Sequence, residues 1–338
     1  MTDPPGLELA RLGEWLPAAI PGAGAELTAR LVPGGRSNLT YEVSDSVNTW
    51  ILRRPPLGHV LATAHDMARE YRVMTALRST AVPVPTTYAL CHDEAVIGAP
   101  FYIMERVAGT PYRHASQLSA LGPERTRSIS TRLVDVLAAL HRIEPDSVGL
   151  ADFGRPEGFL ARQVARWRKQ LDASRSRELP GADELHARLA AGVPDESAVG
   201  IVHGDYRLDN VLVDGDDRLT AVIDWEMATI GDPLTDLALL VTYQVLETVT
   251  RSDVVANAST APGYLSRDEM IERYVAGTGR DPSRFGFYLG LAAYKLAGVL
   301  EGIHYRHLKG QTVGSGFERI GDAVEPLLQA GLDATREH

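Results

Sequence analysis

Residues 201–226 read IVHGDYRLDNVLVDGDDRLTAVIDWE, and the fold of the chain is decided by how this stretch is read. Two apolar runs of β-forming residues, VLV (211–213) and TAVI (220–223), flank a Gly-Asp-Asp turn, which is the pattern of a β-hairpin. Polar residues gather at both of its ends: His203, Asp205, Arg207 and Asn210 before it, Asp224 and Glu226 after it. A hairpin brings its ends together, so Asp205, Asn210 and Asp224 are expected to converge. Three oxygen-bearing side chains at one point suit a hard divalent cation and a general base. The competing reading makes these residues ordinary turn formers.

The composition sets outer limits. The 338 residues are 44% hydrophobic and 23% charged, enough apolar material for a sizeable core in one large domain or two smaller ones. A net charge of −10 argues against nucleic acid and anionic membranes as partners. Cys91, the single cysteine, has no internal partner for a disulfide, which fits a reducing cytoplasm. The opening MTDPPGLELARLGEWL is acidic and interrupted, unlike a signal peptide, and no run of 18 apolar residues exists to span a membrane.

Upstream of the hairpin, residues 7–30 read as helix broken in two at Pro21 and Gly22. LTARLV (27–32), the turn PGGRSN (33–38), LTYEVS (39–44) and NTWILRR (48–54) then form an antiparallel meander rich in β-branched and aromatic residues. A helix is expected from about His65 to Ser79 with Glu70 near its middle, followed by strands in 82–91 and 99–109. Helices dominate afterwards: Pro123 to His141, about 156–172, a short helical hairpin in 173–198, 267–277 behind a Ser266/Glu269 capping box, and the apolar 287–308. The expected class is α+β, with a small antiparallel β-rich lobe at 1–106, carrying a helical N-terminal extension, and a larger, mostly helical lobe at 107–338.

In order, a glycine-bearing β-turn, a basic residue on the third strand, a helix glutamate, HGDxxxxN and IDWE resemble the aminoglycoside phosphotransferase and choline kinase-like family, relatives of protein kinases. The resemblance covers nearly the whole chain. GGRSNLTYEV, ILRRPP, REYRVMTAL, APFYIMERV, HGDYRLDNVL and EGIHYRHLKGQTVG are similar to the branch associated with acyl-CoA dehydrogenases. It implies a protein-kinase-like two-lobe fold and transfer of the γ-phosphate of ATP, with GTP as a possible substitute, to the hydroxyl of a small molecule with the help of Mg²⁺. For this branch the implied acceptor is a hydroxyacyl or hydroxyacyl-CoA compound. The alternatives are an aminoglycoside acceptor and a catalytically silent nucleotide-binding protein. The oligomeric state is left open.

Phosphoryl transfer needs positioning and charge neutralisation more than covalent help. The resemblance places Asp205 as catalytic base and gives Asn210 and Asp224 to the metal. Arg207 either meets the transferred phosphate or pairs with Asp209 or Glu226. The chain has only Lys169, Lys295 and Lys309, so the usual third-strand lysine is replaced by Arg53, expected to pair with Glu70. Strand alternation puts Ile51 and Arg53 on one face and Leu52 and Arg54 on the other, with Arg54 as the surface arginine. Gly35, Ser37 and Asn38 lie in the turn that either covers the phosphates or simply closes a hairpin. The backbone of Glu105 and Val107 is expected at adenine, sandwiched by Ile51, Met104, Leu212 and Ile223.

On the acceptor side Arg162, Arg166 and Lys169 share one helix face, suited to an anion or merely to solvent. Lys295, Glu301, His304 and Tyr305, together with Arg306, sit on the last long helix, which lines the acceptor pocket in relatives. They are either acceptor contacts or satisfied core groups.

Overall fold

Alternation of β-forming residues along 28–54 produces three strands, and the chain adds two more before turning helical. The structure is a computed structural model and describes residues 3–33, 38–58, 65–195, 197–250, 252, 255–312 and 315–336. Its contacts divide it into two compact units, Met1–Gly109 with Thr220–Ala228, and Thr110–Leu219 with Thr229–His338.

The first unit contains α1 (Leu9–Ala19), β1 (Thr28–Leu31), β2 (Leu39–Ser44), β3 (Thr49–Arg54), α2 (Met67–Leu77), β4 (Thr87–Cys91), α3 (Glu94–Ile97) and β5 (Phe101–Glu105). The strands form one antiparallel sheet in the order β1-β2-β3-β5-β4. Pairing of Tyr41 with Leu52 and of Leu52 with Ile103 lines up one apolar face. Val43, Trp50 and Phe101 extend that face, and Leu12 and Leu16 of α1 and Val96 and Ile97 of α3 bury it. The opposite face presents Arg53, Ile51, Tyr102 and Met104, with α2 packed against β4 and β5. Asp66 caps α2 by accepting from the amides of Ala68 and Arg69 at 3.0 and 3.1 Å.

Arg54 corrects an expectation. It is buried at 5% exposure rather than lying on the surface. Its guanidinium donates to the carbonyls of Gly6, of Ile97 at 2.9 Å and of Pro55 at 3.1 Å, tying the N-terminal segment and α3 to the sheet. Alternation gave its face correctly but not what covers that face. The second half of the expected 7–30 helix is also absent: the chain turns after α1 and enters β1.

The second unit holds α4 (Ala115–Ser119), α5 (Pro123–His141), α6 (Phe159–Ser174), α7 (Ala182–Ala191), β6 (Gly200–Val202), β7 (Val211–Val213), β9 (Thr229–Gly231), α8 (Leu234–Val249), α9 (Arg267–Thr278), α10 (Phe285–Leu308) and α11 (Val324–Ala334). Strand β8 (Leu219–Val222) starts at the boundary and continues into the first unit. The turn between β7 and β8 is closed by the Asp214 amide on the Arg218 carbonyl at 2.9 Å. Strand β6 pairs antiparallel with β9, Ile201 opposite Ile230, a ladder too short to read from the sequence.

Helix α10 is the core element, buried along most of its length and packed by α11, α6 and α8. Two boundaries differ from expectation for a local reason. α6 starts at Phe159 because Gly158 takes a left-handed conformation, φ 63°. Gly181, φ 82°, does the same ahead of α7, so 173–198 yields one helix and not a helical hairpin. Among the described residues no helix is long and apolar enough to cross a membrane.

Candidate active site

The first unit gathers its charges around Arg53. β3 aims this side chain away from the apolar core, and the register sets it opposite Tyr102 of β5. One turn into α2, Glu70 meets it: Nε lies 3.1 Å from Oε2, an ionic contact off the N–H direction. The Nη2 group donates to Asp224 Oδ1, and Glu226 Oε2 stands 3.8 Å away. Glu70 in turn accepts from Tyr102 Oη at 2.9 Å and from Asn38 Nδ2 at 2.9 Å. Asn38 also donates to Glu226 at 3.1 Å, and its Oδ1 meets His65 Nδ1 at 2.7 Å.

Burial pushes the Glu70 carboxyl up to about 7, with Arg53 pulling the other way and Asp224 adding to the rise. Burial also opposes the charge on Arg53, but Tyr102, Glu70 and Asp224 outweigh it and hold the guanidinium ionised. Asp224 adopts the left-handed conformation, φ 67° and ψ 57°, which turns its carboxylate out of the strand direction. The anchor for this turn is Trp225, whose indole donates to the Val222 carbonyl at 2.9 Å.

Of the nucleotide contacts expected from the sequence, Gly35 and Ser37 lie outside the described residues. Ile51 is half-buried and paired with the buried Met104; Ile223 is half-buried in the same unit. Glu105 has spent its amide on the Thr86 carbonyl at 2.7 Å and its carboxylate on the Thr86 amide at 3.1 Å, so its carbonyl is what it can offer a base. Val107 is half-buried just past the last ladder pair. Leu212 is half-buried on β7, in the second unit.

The loop between β6 and β7 holds the second unit's cluster. Its amides at His203 and Gly204 donate to Asp236 Oδ2 and Oδ1 at 2.6 and 2.8 Å. Asp236 is buried in the first turn of α8; His141 Nε2 reaches it at 3.3 Å and is fixed in turn by Tyr274 Oη at 2.7 Å from Nδ1. Burial depresses His141 and keeps it neutral. Asp232, the other aspartate of GDPLTDLA, accepts from the Leu234 amide at 3.0 Å and from Tyr288 Oη at 2.8 Å, joining the start of α8 to α10.

On this frame Asp205 is held by both oxygens: Tyr243 Oη donates to Oδ1 at 2.5 Å and Asn210 Nδ2 to Oδ2 at 3.1 Å. Asn210 Nδ2 also reaches the Asp205 carbonyl at 2.9 Å, which leaves its Oδ1 as the donor available to a cation. Arg207 pairs with Asp209 and lies over the Tyr243 ring, 4.2 Å from its centroid. Of the alternatives open for Arg207, the structure shows the Asp209 pair. Among the described residues no three His, Cys, Asp or Glu side chains form a metal cage.

Lys295 of α10 donates to the Gly204 carbonyl at 2.5 Å and lies 5.3 Å from the centroid of the Trp167 ring. Burial lowers its affinity for the proton, while Asp205 and Asp236 raise it. Arg166 sits 5.4 Å from the same ring, exposed, with Lys169 exposed one turn on. Arg162 instead donates to the Glu157 and Arg155 carbonyls and braces the start of α6. Glu301 is wholly buried, accepting from Ser176 Oγ at 2.8 Å and meeting Arg177 at 3.4 Å. His304 packs against Gly321, and Tyr305 lies under Lys309 at 5.6 Å.

A cleft of about 290 Å³ including its mouth opens beside the loop, lined by Tyr112, Arg207, Asp209, Tyr243, Glu247 and Tyr264 among others. Glu247, which accepts from the Ser259 amide at 2.7 Å, is pushed up to about 7 by burial. Sequence reasoning passed over Tyr243, Tyr102 and Glu247. Tyr243 alone had a legible signal, standing seven residues after Asp236 and so on the same side of a helix.

Comparison with known proteins gives the family. The model of the phosphotransferase enzyme family matches residues 28–288. Acyl-CoA dehydrogenase family member 11 of Rattus norvegicus is 33% identical over 341 residues, covering 97% of this chain and 43% of the relative. Its Gallus gallus counterpart is 34% identical over 337 residues, covering 96% and 43%. The chain therefore spans less than half the length of these curated relatives. A crystal structure from Ralstonia eutropha, assigned to the aminoglycoside phosphotransferases, superposes with a TM-score of 0.84 at 31% identity over 98% of both chains. Choline kinase from Cryptosporidium parvum gives 0.63 at 15% identity over 96% and 95%, a likeness of fold alone. Aminoglycoside phosphotransferase APH(4)-Ia, in complex with AMP-PNP and hygromycin B, likewise gives 0.61 at 16% over 96% and 97%. With a kinase-like fold and a match running from β1 into α10, the chain belongs to the phosphotransferase enzyme family.

Proposed function

We propose that the protein moves the γ-phosphoryl group of ATP to the hydroxyl of a small hydroxyacyl or hydroxyacyl-CoA acceptor, with Mg²⁺ as cofactor. The observation that carries the reading is the state of Asp205: a carboxylate fixed by both oxygens, next to an amide whose oxygen is left over for a cation. Such a carboxylate accepts a proton from, or orients, an attacking alcohol. A buried arginine paired with a helix glutamate supplies the fixed positive charge that nucleotide phosphates require. The related APH(4)-Ia complex with AMP-PNP supports an adenine nucleotide as donor.

Asn210 and Asp224 are the residues that would hold Mg²⁺, each offering a hard oxygen donor. The donor set fits, since a carboxylate and a carboxamide oxygen are the ligands this ion takes from proteins when phosphates complete its shell. Bound there, the ion would neutralise charge on the phosphate oxygens. Arg53 then exchanges its Asp224 contact for phosphate oxygens, its planar fork being suited to either partner.

The acyl acceptor is supported by the named relatives and by charge. Arg166 and Lys295 place two cations beside the Trp167 ring, charge of the sign that suits an acidic or acyl acceptor better than a polycationic aminoglycoside. One observation favours a second reading, a nucleotide-binding protein without turnover: Arg53 already holds Asp224.

The test is acceptor-dependent ADP release across 3- and 4-hydroxyacyl-CoAs, free hydroxy acids and aminoglycosides. Turnover of the hydroxyacyl compounds is expected. Turnover of aminoglycosides alone overturns the acceptor assignment, and inertness with every acceptor favours the second reading.

A further inference from the structure

We propose that Tyr243 is the positioning residue for Asp205, the second donor that fixes the orientation of its carboxylate. The inference rests on Asp205 acting as the phosphoryl-transfer base. Its support is a register. Asp236, in the first turn of α8, accepts from the amides of His203 and Gly204 at 2.6 and 2.8 Å. Tyr243, seven residues on, donates to the Asp205 carboxylate at 2.5 Å. Seven residues are close to two helical turns, so both side chains leave the same face of one rigid helix. Three consecutive residues of the loop are thereby gripped by one element, while Lys295 of α10 holds the Gly204 carbonyl from another side at 2.5 Å.

A carboxylate has two side-chain torsions to fix. Asn210 on Oδ2 leaves rotation about the bond to the carboxylate open; a second donor on Oδ1 closes it. Tyr243 is itself held. Its ring is 9% exposed and lies under the Arg207 guanidinium, which is anchored by Asp209. Arg207 therefore acts on the base at one remove, by pressing on the residue that aims it. Burial, reinforced by Asp205, pushes the phenol well above its ordinary range, so it donates throughout the working pH range and moves no proton itself. The remaining lone pairs of Asp205 are left for the proton of an acceptor hydroxyl.

The variant Tyr243→Phe removes the donor and keeps the ring under Arg207. The expected result is a kcat lower by about ten- to a hundredfold, with KM for ATP and the melting temperature unchanged. A crystal structure of the variant should show the Asp205 carboxylate turned from its wild-type orientation. A wild-type kcat in the variant overturns the proposal, as does a loss that appears equally as a lower melting temperature. If the wild-type protein turns over no acceptor, the base assignment fails instead. The orientation of Asp205 in the two crystal structures then decides the positioning claim, an unmoved carboxylate overturning it.

Discussion

Arg53 and Glu70 meet inside the first unit with Nε 3.1 Å from Oε2, the arginine side chain 10% exposed and the glutamate 1%. Neither charge could stand there alone. The arginine lies on the sheet face opposite the apolar core, where Tyr102, Asp224 and Glu226 are its further neighbours. It sets one positive charge against the carboxylates of Glu70, Asp224 and Glu226, so its removal exposes the repulsion it now contains.

Arg53→Ala is therefore expected to cost about 3 kcal/mol of stability, the consequence of leaving a buried carboxylate unpaired. Arg53→Lys should recover part of this and still bind nucleotide poorly, because a single ammonium cannot contact Glu70 and Asp224 through a fork. Urea unfolding and nucleotide titration of the two variants measure the two effects separately. An alanine variant as stable as wild type would mean that the cluster carries no net stabilising charge.

The pH dependence follows from the direction of each shift. Glu70 and Glu247 are both raised from 4.5 to about 7 by burial. Each contribution to stability is fully present below the unfolded value and is lost as pH rises through about 7. His141 is depressed by burial, so its contribution is present above the unfolded value and lost as pH falls below about 6.5. Stability should peak in the mildly acidic range. Glu70→Gln should flatten the alkaline slope, read as the melting temperature against pH; an unchanged slope would place the titration elsewhere.

Asp205→Asn keeps the shape of the side chain and one acceptor oxygen for Asn210 Nδ2, turns its NH2 toward the Tyr243 hydroxyl, which can accept, and removes the basicity. Phosphoryl transfer should fall by about a hundred- to ten-thousandfold with nucleotide affinity retained. Loss of nucleotide affinity in step with activity would point to a collapsed loop and not to a lost base.

Glu301 was a candidate acceptor contact, yet it is wholly buried and bonded to Ser176 and meets Arg177. Glu301→Ala should therefore lower stability by about 3 kcal/mol and leave the acceptor KM of the remaining folded enzyme unchanged. A raised acceptor KM at wild-type stability would restore it to the acceptor site.

Much of this protein is legible in its sequence. Periodicity and caps place α5 at Pro123–His141 and α9 behind Ser266 and Glu269, because these signals depend on residues a few positions apart. Strand alternation alone assigns Arg53 to the face away from Leu52. The lack of a lysine before Lys169 dictates that an arginine must serve on β3.

What only the tertiary structure decided is which side chains meet. Arg53 reaches Asp224 across 171 positions, and Tyr243 reaches Asp205 across 38. Arg54 and Glu301 turn inward to carbonyls and hydroxyls that no local pattern announces. Local periodicity reports the face a residue takes on its own element, since that depends on backbone geometry over a turn or two. Its partner depends on the packing of elements far apart in the chain, and with the partner come the burial and charge that make a carboxylate a base, a clamp or a switch.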